Sequence, residues 1–266
     1  MMRGSVAVSD LTWVEYQESI ARQAVVVLPV GALEQHGLHL PMGTDSFIVE
    51  AIGRRVAQRI GGLVLPTVTY GARSLPRSGG GDQFPGTTNL DGTTLMALIR
   101  DIVREQARHN VNRLVVLAGH AENDPFVVEG AELGRRDAGA ISPEILVVGW
   151  WHVVPEAALA PIFPEGFPGW DLEHAARIET AMMLALAPGS VRTEALADID
   201  HIVAPPYVRF PTPRGVVPSQ GSLSDPRGPS GEIPEPAHAL IELIVTNLAN
   251  LISETFDLES HAQEIG

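Results

Sequence analysis

Apolar positions along this chain follow two alternating rhythms. Short, almost continuous apolar runs rich in β-branched residues occur at 24–30 ("AVVVLPV"), 63–71 ("LVLPTVTYG"), 113–119 ("RLVVLAG") and 144–151 ("EILVVGWW"). Runs of that length without polar alternation predict strands buried on both faces, as in a parallel sheet. Between them the apolar spacing changes to three and four. Residues 46–61 predict a helix closed by Gly61, and 91–110 predict another, with Leu95, Leu98, Ile99, Ile102 and Val103 on one stripe and Asp91 as N-cap. Asp124 followed by Pro125 predicts the N-cap and first turn of a third helix. Residues 235–256 carry a clean stripe that includes Leu240, Ile244, Leu248 and Ile252. Strand and helix in alternation predict the α/β class: a three-layer αβα sandwich around a mostly parallel central sheet. The Gly/Pro-rich stretches 71–92 and 204–236 read as long loops or lids rather than charged linkers, so a single domain over residues 1–266 is expected.

Composition narrows the class of partner. The chain has 266 residues, 45% hydrophobic and 19% charged, a globular balance with enough apolar material for a sizeable core. Asp and Glu number 32 against 18 Lys and Arg, a formal net charge of −14, which argues against a nucleic-acid partner. There is no cysteine, so disulfides, thiolate metal sites and a cysteine nucleophile are excluded. The first residues lack an apolar signal core, and no apolar run approaches the roughly 18 residues of a membrane helix, so a cytoplasmic, membrane-free location is expected.

The chemistry sits where an open α/β sheet gathers ligands, beyond the carboxyl ends of its strands. The first strand runs into "GALEQHGLHLPMGTD", which holds Glu34, His36, His39 and Asp45. Glu34 and His36 are two apart, and in extended chain such residues point the same way, about 7 Å apart. The third strand runs into "AGHAEND", where His120 and Glu122 repeat that spacing. Either pair alone is compatible with an inert, solvated loop. Two pairs after two strands, with Asp45 between them, point to a two-metal centre of nitrogen and oxygen ligands, suited to zinc or manganese. His39 reads as structural. In "PEGFPGWDLEHAARIET" Asp171 reads as an N-cap that puts His174 in the first turn of a helix. His174 is then either a core histidine or a proton shuttle at a pocket lip, with Trp170 as an apolar wall. Glu179 reads as a partner behind the site or a surface acid. "RSGGGDQFPGTT" lacks the Gly-Lys-Ser/Thr ending of a phosphate loop; it reads as a loop over the site, with Ser78 as a hydrogen-bond donor to substrate.

The segments "LPVGALEQHG", "SGGGDQFPGTT", "GHAEN" and "PEGFPGWDLEHAARIETAMMLAL" closely resemble creatininase, over about residues 11–188. The resemblance implies a creatininase-like α/β fold, usually a homohexamer, with a binuclear metal site. Glu34 and His120 would hold one metal, His36 and Glu122 the other, and Asp45 would bridge them. It places Ser78, Trp170, Asp171 and His174 at substrate-contacting positions, with His174 as acid/base and Trp151 as a further aromatic near the pocket. The implied reaction is reversible hydrolysis of a cyclic amide, creatinine first, by water activated between two zinc or manganese ions. The family pattern "NGHYEN" is broken here by Ala118 and Ala121, which removes a tyrosine beside a ligand and enlarges the pocket. That departure keeps other amides, formamides and lactones open as substrates. A metal-binding protein without catalysis is the reading from another class, opposed by the five apparent ligands and His174.

Overall fold

Strand β1 (Val26–Val30) is the axis of the molecule, and all five of its residues are buried. The computed structural model describes residues 5–75, 83–196, 199, 207, 209–210 and 219–258. Among them, β1, β2 (Leu63–Val64), β3 (Arg113–Ala118) and β4 (Glu144–Gly149) form one parallel sheet in the order β2-β1-β3-β4. Val26 to Val30 pair with Leu114 to Ala118 in register, so the carboxyl ends of β1 and β3 lie side by side. The two candidate ligand loops are therefore spatial neighbours.

Two strands are shorter than the sequence predicts, for local reasons. β2 leaves regular pairing after Val64, and Val68 rejoins β1 only as an isolated bridge to Val30. The same break accommodates Pro29 inside a central strand. The odd-numbered carbonyls of β1 face β2, so the Pro29 nitrogen points to the side where β2 has left the ladder. β4 stops at Gly149, and Trp150–Val153 coil into a 3₁₀ turn that folds the Trp151 indole back over Gly149.

Each face of the sheet has its own apolar core. Helices α2 (Thr44–Ile60), α5 (Arg177–Leu186) and α6 (His238–Thr255) bury Ile48, Ile52, Met182, Ile241 and Ile244 on one side. Helices α3 (Gly92–Arg108) and α4 (Asp124–Ala138) bury Leu95, Ile99, Val103 and Val127 on the other, where Ile20 of α1 (Trp13–Ala21) joins them. The expected three layers are present. α2 closes on Gly61 at φ 66°, the left-handed cap the sequence predicts. Asp91 stands at the N-cap of α3 without a side-chain hydrogen bond there, and Asp124 is the first residue of α4 rather than its cap, which is Asn123. No helix among the described residues is long and apolar enough to cross a membrane. Residues 204–206, 208 and 211–218 of the 204–236 loop, and residues 76–82 of the 71–92 loop, lie outside the described residues.

α5 begins later than the sequence predicts. Asp171 belongs to a separate 3₁₀ turn, Trp170–Leu172, and the helix starts at Arg177, so His174 precedes it. Between them Ala175 takes φ 49°, which interrupts any continuous helix. The buried Glu173 carboxylate accepts from Ile178 N–H at 2.9 Å, satisfying one open donor of the first turn. Burial pushes this carboxyl up to about 8, with Glu179 adding to the rise and Ile178 N–H and Arg177 opposing it. A raised acid holds its proton in the folded chain at pH values where the unfolded chain has lost it, so stability falls as pH rises from about 4.5 to about 8. Glu173→Gln should remove that slope, making the variant more stable than the parent by roughly 2–4 kcal/mol at pH 8 and near parity at pH 4.5. Thermal unfolding at the two pH values checks this, and parallel slopes would refute it.

Candidate metal centre and catalytic site

The site is built where three elements meet. Gly31 at the end of β1 and Gly119 at the end of β3 allow the first turn of α2 to come close: a Cβ at either would sit under 3.0 Å from Ser46 or from Asp45 O. Asp45, on that turn, is thereby held between the two strand ends. The loop from β1 is tied to its surroundings by the buried Asn123 amide, which donates to Gly31 O at 2.9 Å and accepts from Ala72 N–H at 2.8 Å. Three loops that are far apart in sequence are stapled together by one side chain.

Asp45 reaches both histidines, with Oδ1 3.1 Å from His36 Nε2 and Oδ2 3.3 Å from His120 Nδ1. His120 Nδ1 is also 3.3 Å from Glu34 Oε2. Each ring has its other nitrogen against a backbone carbonyl: His36 Nδ1 is 3.1 Å from Glu34 O, and His120 Nε2 is 3.2 Å from Ala72 O. Donation to those carbonyls fixes the tautomers and turns one lone pair of each ring toward the carboxylates. Glu34, His36, Asp45 and His120 are all at most 5% exposed. Glu34 Oε2 and Asp45 Oδ2 are buried with no hydrogen-bond partner, an arrangement that costs free energy unless a cation faces them.

Electrostatics tell the same story. Burial pushes the Glu34 carboxyl up to about 7, with Asp45 adding to the rise and the two histidines opposing it. Burial opposes charge on His120, but Glu34 and Asp45 outweigh it and raise that ring to about 10. Burial likewise opposes charge on His36, which Asp45 and Glu179 hold well above the ordinary histidine range. Asp45, despite its burial, is held below the usual carboxylate range by the two histidines. The pocket thus concentrates negative charge around ring nitrogens and is ready for positive charge.

Two groups of donors have ligand atoms within 4.8 Å of one another: Glu34, Asp45 and His120, and His36, Glu179 and His174. All are nitrogen or oxygen donors, and the buried orphan oxygens belong to the first group, so the residues present fit two divalent cations. Glu122 is half-buried beside His120, Oε2 to Nε2 3.5 Å. Glu179 also reaches His36, Oε2 to Nε2 3.7 Å. Glu179 is neither exposed nor remote: it is buried and accepts from Ala175 N–H at 2.7 Å. The one sequence signal for it is a lone acid inside the otherwise apolar "RIETAMMLAL".

His174 is at the site and not under the core. Its ring lies 4.5 Å from that of His36, and Nε2 is 3.9 Å from Glu34 Oε1 and 2.9 Å from the Gln35 amide nitrogen. Burial and the neighbouring His36 hold it well below the ordinary histidine range, which favours the neutral ring. His39 is structural, as expected: it is buried, its Nε2 is 2.8 Å from Thr180 Oγ1, and burial with His36 lowers it to about 4. Trp170, half-buried, stands edge-on to Trp150 and Phe167, which gives it a fixed orientation. Trp151 packs edge-on to Trp150 as well. Asp171 and Ala121 are exposed, and Ser78 lies outside the described residues. Sequence reasoning missed Gln35 and Ser74, the latter donating a short hydrogen bond to Glu34 Oε1.

Residues 9–252 match the family model Creatininase, described as creatinine amidohydrolase. The chain is 44% identical over 260 residues to the creatinine amidohydrolase of Pseudomonas putida, covering 96% of this chain and 99% of that one. A mutant creatininase structure of the Zn-Zn type superposes with a TM-score of 0.90 at 42% identity, covering 95% of this chain and 99% of that one. A manganese creatininase structure superposes at 0.89 with 43% identity and the same coverage. With the motifs, the parallel sheet and the clustered ligands in one arrangement, the chain belongs to the creatininase family.

Proposed function

We propose that this chain is a metal-dependent amidohydrolase that opens the ring of creatinine by adding water across its cyclic amide, giving creatine, and closes it in reverse. The observation that carries the proposal is the buried Glu34–Asp45–His120 cluster with two unpartnered carboxylate oxygens, in a chain 44% identical to a creatinine amidohydrolase. One divalent cation would be held by Glu34, Asp45 and His120, and a second by His36, Glu179 and Asp45. Glu122 supports His120 from its outer side and is the further carboxylate available to the reaction. Zinc or manganese at these positions supplies polarisation of the ring carbonyl and a water acidified to near-neutral pKa.

The chain's own residues do the rest. His36 and His120 are locked in one tautomer by backbone carbonyls, so no reorganisation is needed when they bind. His174, neutral at the edge of the cluster, accepts a proton at its ring and returns it to the ring nitrogen that departs as the amide opens. Trp170 and Trp151 form the rigid aromatic wall, and Asp171, Ser78 and Ala121 complete the substrate contacts. The protein acts as a single-domain, cytoplasmic homohexamer, a reading supported by the family resemblance.

A specific observation sustains a second substrate reading. Ala121 is exposed in the turn between His120 and Glu122, where the family pattern has tyrosine, so the pocket has room for a larger amide, a formamide or a lactone. The test is metal-stripped protein reloaded separately with zinc and manganese and assayed for creatinine hydrolysis. Turnover in both directions is expected. Folded, fully loaded protein that leaves creatinine untouched but opens another member of a panel of cyclic amides, formamides and lactones would transfer the proposal to that substrate.

A further inference from the structure

Gln35 lies between two ligand residues, is buried, and has no part in the mechanism above. Its side chain is nevertheless held from three directions. Oε1 accepts from Gly37 N–H at 2.9 Å, Nε2 donates to Gly221 O at 2.8 Å, and the same Nε2 lies 2.9 Å from His174 Nε2. The first two partners are backbone groups with fixed roles. Rotating the amide by half a turn would set its oxygen against a carbonyl oxygen and its nitrogen against an N–H, so only one orientation is compatible with both. The remaining amide hydrogen then points at His174 Nε2, and a donor there requires an acceptor.

We infer that Gln35 is a positioning residue that fixes the working tautomer of His174: the ring proton sits on Nδ1, and the lone pair of Nε2, 3.9 Å from Glu34 Oε1, accepts from the Gln35 amide. The inference rests on the reading of His174 as acid/base, and it adds how the ring is held ready. Two further contacts keep the arrangement rigid. The main chain of residues 221–223 clasps both partners, since Gly221 O accepts from Gln35 and Leu223 N–H donates to His174 O at 3.0 Å. Gly221 is at φ 84°, and a Cβ there would come 1.9 Å from Gln35 Oε1, so only glycine lets this segment sit against the amide.

The test is ¹⁵N-histidine NMR on the zinc-loaded protein, with the His174 signals assigned by their loss in His174→Gln. The two neutral tautomers have distinct pairs of ring-nitrogen shifts, so the parent spectrum alone decides. A protonated Nδ1 with a lone-pair Nε2 is expected; a protonated Nε2 in the parent protein would overturn the inference. Gln35→Leu should then populate both tautomers, with zinc retained, kcat reduced about 10- to 100-fold and KM changed far less. Gly221→Ala, which displaces the amide without altering it, should reproduce the mixed tautomers. An unchanged His174 spectrum in both variants would also overturn the assignment. The spectrum needs no substrate, so a chain with the Nδ1–H signature that fails to hydrolyse creatinine would sink the functional reading and leave this one standing.

Discussion

Asp45→Ala should strip both cations from the protein together. Asp45 is the only carboxylate among the described residues that reaches both ring nitrogens turned inward, 3.1 Å from His36 Nε2 and 3.3 Å from His120 Nδ1. It is held there by close packing of the first turn of α2 against Gly31 and Gly119, so no neighbour can move in to replace it. Its loss also leaves His36 and His120 with Glu34, Glu122 and Glu179 as their carboxylate neighbours. We expect affinity at both positions to fall by at least about 100-fold, read by elemental analysis after dialysis and by titration. Glu179→Gln is the control with a different signature, since it weakens only the position beside His36. Retention of both metals and of turnover by Asp45→Ala would refute the shared carboxylate.

The second large effect is the opposite kind: His174→Gln should keep both metals and lose turnover by about 10²- to 10⁴-fold. His174 shares a donor group with His36 and Glu179, so ligand and proton carrier are both geometrically open to it. The Gln35 contact disfavours the ligand role, because the Nε2 lone pair is already engaged by an amide at 2.9 Å. Metal stoichiometry and single-turnover kinetics on the same preparation separate the two roles. Loss of one cation in His174→Gln would make it a ligand.

What was legible in the sequence was whatever depended on local pattern. β1 and β3 announced themselves by unbroken apolar runs, and α3 and α6 by stripes that coincide with their buried residues Leu95, Ile99, Val103, Ile244 and Leu248. The candidate ligands Glu34, His36, Asp45 and His120 were visible because they follow β1 and β3, and neighbouring parallel strands deliver their ends to one place. Features set by tertiary approach were not legible. Glu179 is buried only because α5 docks its first turn against the β1 loop, and a lone Glu on a helix does not reveal that. Glu122 has the same two-residue spacing as the Glu34–His36 pair, but a 3₁₀ turn over Ala121–Asn123 replaces the extended chain the spacing argument assumed. The start of α5 was misplaced because Asp171 is a good capping residue by type, while the backbone at Ala175, at φ 49°, forbids the helix from reaching it.

The strand order has a consequence for synthesis. β1 is made first yet occupies an interior position, with β2 on one side and β3 on the other. A chain emerging from the ribosome therefore holds a fully apolar strand with an open edge while α2, β2 and α3 are still being added. The partner that closes that edge, and the Asn123 amide that ties the loops, arrive only with β3 and the turn after it. Such a delay favours slow folding and exposes an adhesive edge to other chains. Glu34 and His36 wait through the same interval, because Asp45 and His120 close around them only when β3 is in place.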